Sequence, residues 1–366
     1  MSRKIATHTV LILLSLVLTA AAHAKARGPC SEQLPPAGTL GCIGRFENPE
    51  DVAYVPSESA LLVSEIDLHE QGGALSLLSL GPAGEPLEFV PSRVWPGGVT
   101  APDGSGDEDC KLPSAKNFKP HGIDVGKPEA DGAVPVFVVN HGRRESVQIF
   151  ALQEGILTWR GCYHMPDNAS GNDVAVGPNG ELAVSDYQPT QKGLANSWYA
   201  IKGGLGFETG SIFTRRPGID TGWVELEGSA GVNPNGVIWS RDGKSIFFTE
   251  TGAGAVRRVP YGDGPEPGRI EIEGYPDNLS RGADGRILVV THHSGFAVLL
   301  CRLRMLPCRS GWSVFEIQPD LTAKTELLSH LGDELGGAAS VAIAQDWIYI
   351  GAIFDDRIGI WRPGTD

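Results

Sequence analysis

The stretch Asn172–Asp186, NDVAVGPNGELAVSD, decides the fold. Its VAV and LAV runs alternate with polar residues, and GPNG supplies turn chemistry between them, so it reads as a β-hairpin. The hairpin opens on an amide and a carboxylate and closes on a second carboxylate, none of which a hairpin needs.

The layout recurs along the chain. GVIWSRDGKSIFFTE (Gly236–Glu250) and NLSRGADGRILVVTH (Asn278–His292) repeat the alternation, the turn and the polar or acidic end. Looser copies are DVAYVPSESALLVSE (Asp51–Glu65), GIDVGKPEADGAVPVFVVNH (Gly122–His141) and SVAIAQDWIYIGA (Ser340–Ala352). Successive copies start 42 to 71 residues apart, room for about four strands and their connections. Six such units imply an all-β, six-bladed β-propeller with loops of unequal length. A β-sandwich is the structural alternative, but it predicts no sixfold repeat. Only Gly193–Ile201 hints at helical periodicity among the longer stretches, which disfavours an α/β barrel.

In a propeller the innermost strands run the same way along the axis, so the heads of the copies meet at one end of the channel. Glu50, Asn172, Asn235, Asp277 and Asn278 then converge as a ring of oxygen donors, with Asp51 and Asp173 close behind. Carboxylates gathered without a counter-charge repel and are costly to bury. A set of carboxylates and amides without thiolates suits Ca2+ better than Zn2+ or a redox metal. His121 heads one copy, while His141 and His292 end two others, which places all three near the ring. A second acidic stretch, DGSGDEDCKLPS from Asp103, has Glu108 and Ser114 where a calcium loop needs Gly and Glu, and reads as a solvated loop. The chain has no GxSxG, HExxH or dinucleotide fingerprint.

Arg3 and Lys4, the apolar run Val10–Val17 and Ala22-His23-Ala24 form the parts of a secretory signal peptide. This divides the chain into a signal, 1–24, and a single propeller domain, 25–366, exported to the periplasm or beyond. The formal charge is −14, and it becomes −16 once Arg3 and Lys4 leave with the signal. Nucleic acid and anionic membrane are disfavoured as partners. The six cysteines suit an oxidising compartment and allow 15 pairings. Proximity favours Cys30 with Cys42 and Cys301 with Cys308, leaving Cys110 for Cys162.

At these residues the chain resembles the paraoxonase/arylesterase family of calcium propellers. The resemblance runs in order through ENPEDVAYVP, KPHGIDV, VVNH, NDVAVGP with SDY, NPNGVIWSRDGK, YPDNLS, and ASVAIA with IYIGAIF. It implies two calcium ions. Glu50, Asn172, Asn235, Asp277 and Asn278 would hold a catalytic one, and Asp51, Asp173 and the Ile123 carbonyl a structural one. It also implies a His121–His141 pair, a further acid at Asp186 and a pocket-wall histidine at His292. The implied activity is hydrolysis of lactones and aryl esters, with His121, relayed by His141, or else Asp277 taking the proton from water. The small-molecule substrate is then the expected partner, and no membrane or protein partner is called for. Two departures stand out: no cysteine follows Cys308, so the ring must close by strand pairing alone, and Tyr187 replaces a histidine common in the family. A sugar lactonase of the gluconolactonase type and a non-catalytic calcium-stabilised propeller are the alternatives. The loop from Asp186 to Gly210 is positioned either to cover the pocket or simply to lie on the surface.

Overall fold

The computed structural model describes residues 28–189, 202–282, 284–303 and 308–364. The signal segment 1–24, the helical expectation at Gly193–Ile201 and the centre of the 186–210 loop lie outside these residues.

Six antiparallel sheets surround a common axis. Their innermost strands are Pro49–Val55, Pro120–Val125, Gly171–Val176, Pro234–Trp239, Tyr275–Arg281 and Ala338–Ala344, which head blades 1 to 6 in chain order. Each innermost strand packs beside the next, and the sixth packs beside the first. Five blades have four strands. Blade 2 gains a fifth, because Val99–Thr100 pairs in parallel with Ile156–His164. The ring closes without a covalent link: Gly41–Gly44 joins blade 6 antiparallel to Arg357–Trp361, with Ile43 opposite Ile358. The three disulfides are Cys30–Cys42, Cys110–Cys162 and Cys301–Cys308, all local and all as expected.

Stacking explains the sequence pattern. Each blade is covered on both faces by its neighbours, so the second strands ALLVSE, LAVSD, SIFFTE, ILVVTH and WIYIGA are buried along their whole length. Six apolar clusters result, one between each adjacent pair of blades. Between blades 1 and 2, Trp95 meets Phe150 edge to face at 5.0 Å. Burying each such large side chain contributes roughly 1.5–3 kcal/mol.

The heads of the innermost strands are the irregular part. All six carry a register shift there: Pro49/Asp51, Pro120/Ile123, Gly171/Val174, Pro234/Val237, Pro276/Leu279 and Ala338/Ser340. A bulge adds a residue to one strand and re-aims side chains, so successive residues need not alternate between faces. Three of the six begin with proline, which suits the first residue of a strand because no ladder donor is lost there. The bulged strands also approach one another closely. A Cβ on Gly122 would overlap the Asp173 backbone, and one on Gly236 would overlap Asn278.

Candidate functional site

The bulged strand heads carry the expected residues, and two of them, Glu50 and Asn278, meet directly. Asn278 donates from Nδ2 to Glu50 Oε1 at 3.1 Å. The backbone carbonyl of Glu50 accepts the Ser340 hydroxyl at 2.7 Å, tying blade 1 to blade 6. Four side-chain oxygens here are buried and have no donor: Glu50 Oε2, Asn172 Oδ1, Asn235 Oδ1 and Asn278 Oδ1. They come from blades 1, 3, 4 and 5. Buried polar atoms are normally paired, and leaving one unpaired costs about 1–3 kcal/mol. Burial, with the charge of Asp277 adding to it, also pushes the Glu50 carboxyl well above the usual carboxylate range. A hard divalent cation would satisfy all four oxygens and remove that penalty, so the donor set fits calcium.

The histidines surround this ring. His121 Nε2 lies 3.5 Å from Glu50 Oε1, and its Nδ1 meets His141 Nε2 at 2.8 Å. His141 Nδ1 in turn reaches both oxygens of Glu145, at 2.9 and 3.1 Å. Glu145 is the residue that sequence reasoning missed, although an acid four places after His141 in HGRRE was a usable signal. Its carboxylate accepts the Nδ1 proton of His141, which leaves His141 Nε2 to accept from His121 Nδ1. The lone pair of His121 then sits on Nε2, facing Glu50. Burial lowers the His121 pKa to about 4, so this imidazole is neutral near pH 7. His292 Nε2 meets Asp277 Oδ2 at 2.8 Å and thus orients a ring carboxylate rather than merely lining the wall. Asp186 ends the second strand of blade 3, its Oδ1 accepting the Ser170 N–H at 2.8 Å.

Asp51 and Asp173 are placed differently. Asp51 accepts the N–H of Val52 and, across the blade boundary, of Ile123 at 2.7 Å. Asp173 repeats this with Val174 and Val237, and Asp124 with Val125 and Val176. Three aspartates therefore staple blades 1 to 4 in succession. Burial first, and neighbouring carboxylates next, raise Asp51 and Asp173 well above the usual range. Asp51, Asp173 and Ile123 line a cavity of about 690 Å³ that also includes Asp124 and Arg281, whereas none of the four orphaned oxygens belongs to its lining residues. The two expected cation positions thus differ in surroundings.

Other acidic and sulfur groups are accounted for. Asp107, in the stretch read as a solvated loop, instead pairs with the buried Arg215 at 2.8 Å and accepts the His164 N–H. Cys110, Cys162 and His164 cluster, but the two sulfurs are bonded to each other and offer no thiolate.

These features define a six-bladed propeller whose hub holds a ring of buried oxygen donors beside a histidine relay. The chain belongs to the arylesterase family, whose model matches residues 110–358, more than half of its length. No curated protein sequence matches it. Among solved structures, a gluconolactonase from Xanthomonas campestris is similar, with a TM-score of 0.54 at 14% identity, covering 92% of this chain and 98% of that one. A luciferin-regenerating enzyme gives 0.53 at 15% identity, with 89% and 95% covered. The calcium-binding protein regucalcin from Agrobacterium tumefaciens gives 0.50 at 14%, with 87% and 94% covered. At these identities the likeness is one of fold.

Proposed function

We propose that this protein is an exported, calcium-dependent hydrolase of lactones and aryl esters. The observation that carries the reading is the set of four buried, donorless oxygens on Glu50, Asn172, Asn235 and Asn278, set beside the bare Nε2 of His121. Membership of the arylesterase family supports the reaction class. The three disulfides are consistent with export.

Glu50, Asn172, Asn235, Asp277 and Asn278 would hold the catalytic ion, and Asp51, Asp173 and the Ile123 carbonyl the structural one. Bound calcium supplies a Lewis acid for the scissile carbonyl and for the negative charge that grows on its oxygen. The chain's own groups do the rest. His121 Nε2 takes a proton from the attacking water, a task for which a neutral imidazole is suited. His141 and Glu145 hold His121 in the tautomer that exposes Nε2. Asp277 is engaged by His292, which favours a ligand role for it over that of base.

The deciding experiment is hydrolysis of aliphatic γ- and δ-lactones, a sugar lactone and phenyl acetate by the mature protein, after chelation and after calcium is restored. Turnover that disappears and returns with calcium is expected. A preference for the sugar lactone would move the reading to the gluconolactonase type. A calcium-dependent gain in melting temperature with no turnover would leave a binding module.

A further inference from the structure

The cavity that holds Asp51, Asp173 and Ile123 has a direction. In blade 1 its lining runs from Asp51 through Tyr54 to Pro56, just past the end of the innermost strand Pro49–Val55. In blade 5 it takes in Leu279, Ser280 and Arg281, the last residues of Tyr275–Arg281, and in blade 6 it reaches Gln345 and Asp346, beyond Ala338–Ala344. At about 3.3 Å per residue, the run from Asp51 to Pro56 follows the channel for about 16 Å. Pro56, Gln345 and Asp346 are exposed, so the cavity opens at the end of the propeller opposite the ring. Toward the ring it stops short. None of Glu50, Asn172, Asn235, Asp277 and Asn278 lines it, and at that level the Asn278–Glu50 and Ser340–Glu50 hydrogen bonds tie blades 5, 6 and 1 together.

The charged residues of this lining are mostly acids. Asp51, Asp124, Asp173, Asp284 and Asp346 stand against Arg281 and Arg286. Arg286 is engaged by Asp284 and, at 2.9 Å, by Glu316. Arg281, half-buried at the mouth, makes no hydrogen bond or ion pair among the described residues. Midway along, Asp124 and Ser280 stand at one depth, each one residue beyond the first register pair after its bulge, Ile123 with Val138 and Leu279 with Val289. They belong to blades 2 and 5, which face each other across a ring of six. The Ser280 Oγ is buried without a partner. A passage lined by one sign of charge between low-dielectric walls concentrates counter-ions and speeds their arrival.

We infer that this cavity is the route by which a divalent cation enters and leaves the position at Asp51, Asp173 and the Ile123 carbonyl, from the face opposite the ring, with Asp124 as an oxygen on the way and Arg281 and Asp346 setting the rate at the mouth. The inference rests on the two-ion reading above. The ring ion exchanges through the other end, so the two positions answer to different residues. The test is exchange of radioactive calcium, bound to the loaded mature protein, against excess unlabelled calcium in the parent, Arg281→Gln, Asp346→Lys and Asn235→Ala. Two ions per chain and two exchange phases are expected, with Asn235→Ala speeding the ring phase alone. In the other phase Arg281→Gln should be faster than the parent and Asp346→Lys slower, each by roughly threefold or more, because each altered charge lies at the mouth, nearer the path than the bound ion. Two ions and a channel phase that neither mouth variant changes overturn the route and leave the two-ion reading standing. A mouth variant that alters the ring phase instead, or two ions leaving in one phase that Asn235→Ala accelerates, overturns the route as well. A single calcium per chain overturns the two-ion reading and the route with it.

Discussion

His121 Nδ1 lies 2.8 Å from His141 Nε2, and this contact has only one arrangement of protons compatible with neutral rings and the Glu145 carboxylate beyond it. The proton on His141 Nδ1 belongs to Glu145, and that on His121 Nδ1 to His141. In the proposed hydrolase Glu145 is thus a positioning residue that acts through two imidazoles. Glu145→Gln offers a neutral amide able to present either an acceptor or a donor, so the tautomer is no longer enforced. A fall in kcat of roughly tenfold with little change in KM is expected, which corresponds to about 1.4 kcal/mol in the barrier. Glu145→Asp should recover part of the loss. A purely structural role for Glu145 would instead lower the melting temperature and leave kcat of the folded fraction intact.

Removal of calcium should be felt first as instability. Without a cation, four orphaned oxygens and the buried Glu50 carboxyl remain as uncompensated penalties. Chelation is expected to lower the melting temperature, and added calcium to restore it in a concentration-dependent way, since a ligand that binds only the folded state stabilises by mass action. Asn235→Ala removes one oxygen from the ring, and at least tenfold weaker calcium binding is expected by calorimetry. Unaltered calcium affinity in that variant would remove Asn235 from the ring.

Much of this site was legible in the sequence because propeller symmetry turns a linear repeat into a ring. Glu50, Asn172, Asn235 and Asp277 occupy equivalent places in their copies, with Asn278 one residue further on, so recognising the copies was enough to expect them at one end of the channel. The bulges were not legible, because alternation alone carries no sign of a register shift such as the one between Gly171 and Val174. Glu145 was hidden for another reason: it lies beyond the hairpin, in a turn whose path depends on the third strand of blade 2. The helix Gly295–Arg302 is eight residues long and apolar nearly throughout, too short and too uniform for periodicity to declare it. Val99–Thr100 is two residues of sheet in parallel pairing, with no local pattern at all.

The close approach of the bulged strands makes Gly236 a position where even one carbon is too many. A Cβ there would meet Asn278 backbone atoms and the Leu279 nitrogen, and no rotamer can relieve a clash with backbone. Gly236→Ala should destabilise the fold by about 1–3 kcal/mol, as overpacking in a filled core does. Because the displaced residue is Asn278, calcium affinity should fall in the same variant. Gly222, whose added Cβ meets nothing, serves as the control, and Gly222→Ala should change neither quantity.

Asp186 provides a pH test that leaves the ring intact. Burial raises its pKa to about 7, with nearby Glu145 and Glu225 adding to the effect and the Ser170 N–H opposing it. In the unfolded chain the same group titrates near 4. The folded state therefore holds the proton more tightly, and the stability linked to it is fully present below about pH 4 and lost as pH rises toward 7. Above pH 7 both states are ionised and the loss is complete, on the order of 4 kcal/mol at most for a shift of this size. Asp186→Asn keeps the shape and the acceptor for Ser170 but cannot ionise. With calcium held saturating, denaturant titrations should show the variant gaining on the parent between pH 4 and 7, with a constant difference at higher pH. A parent and variant whose stabilities run parallel across that range would show that Asp186 is ionised in the fold throughout.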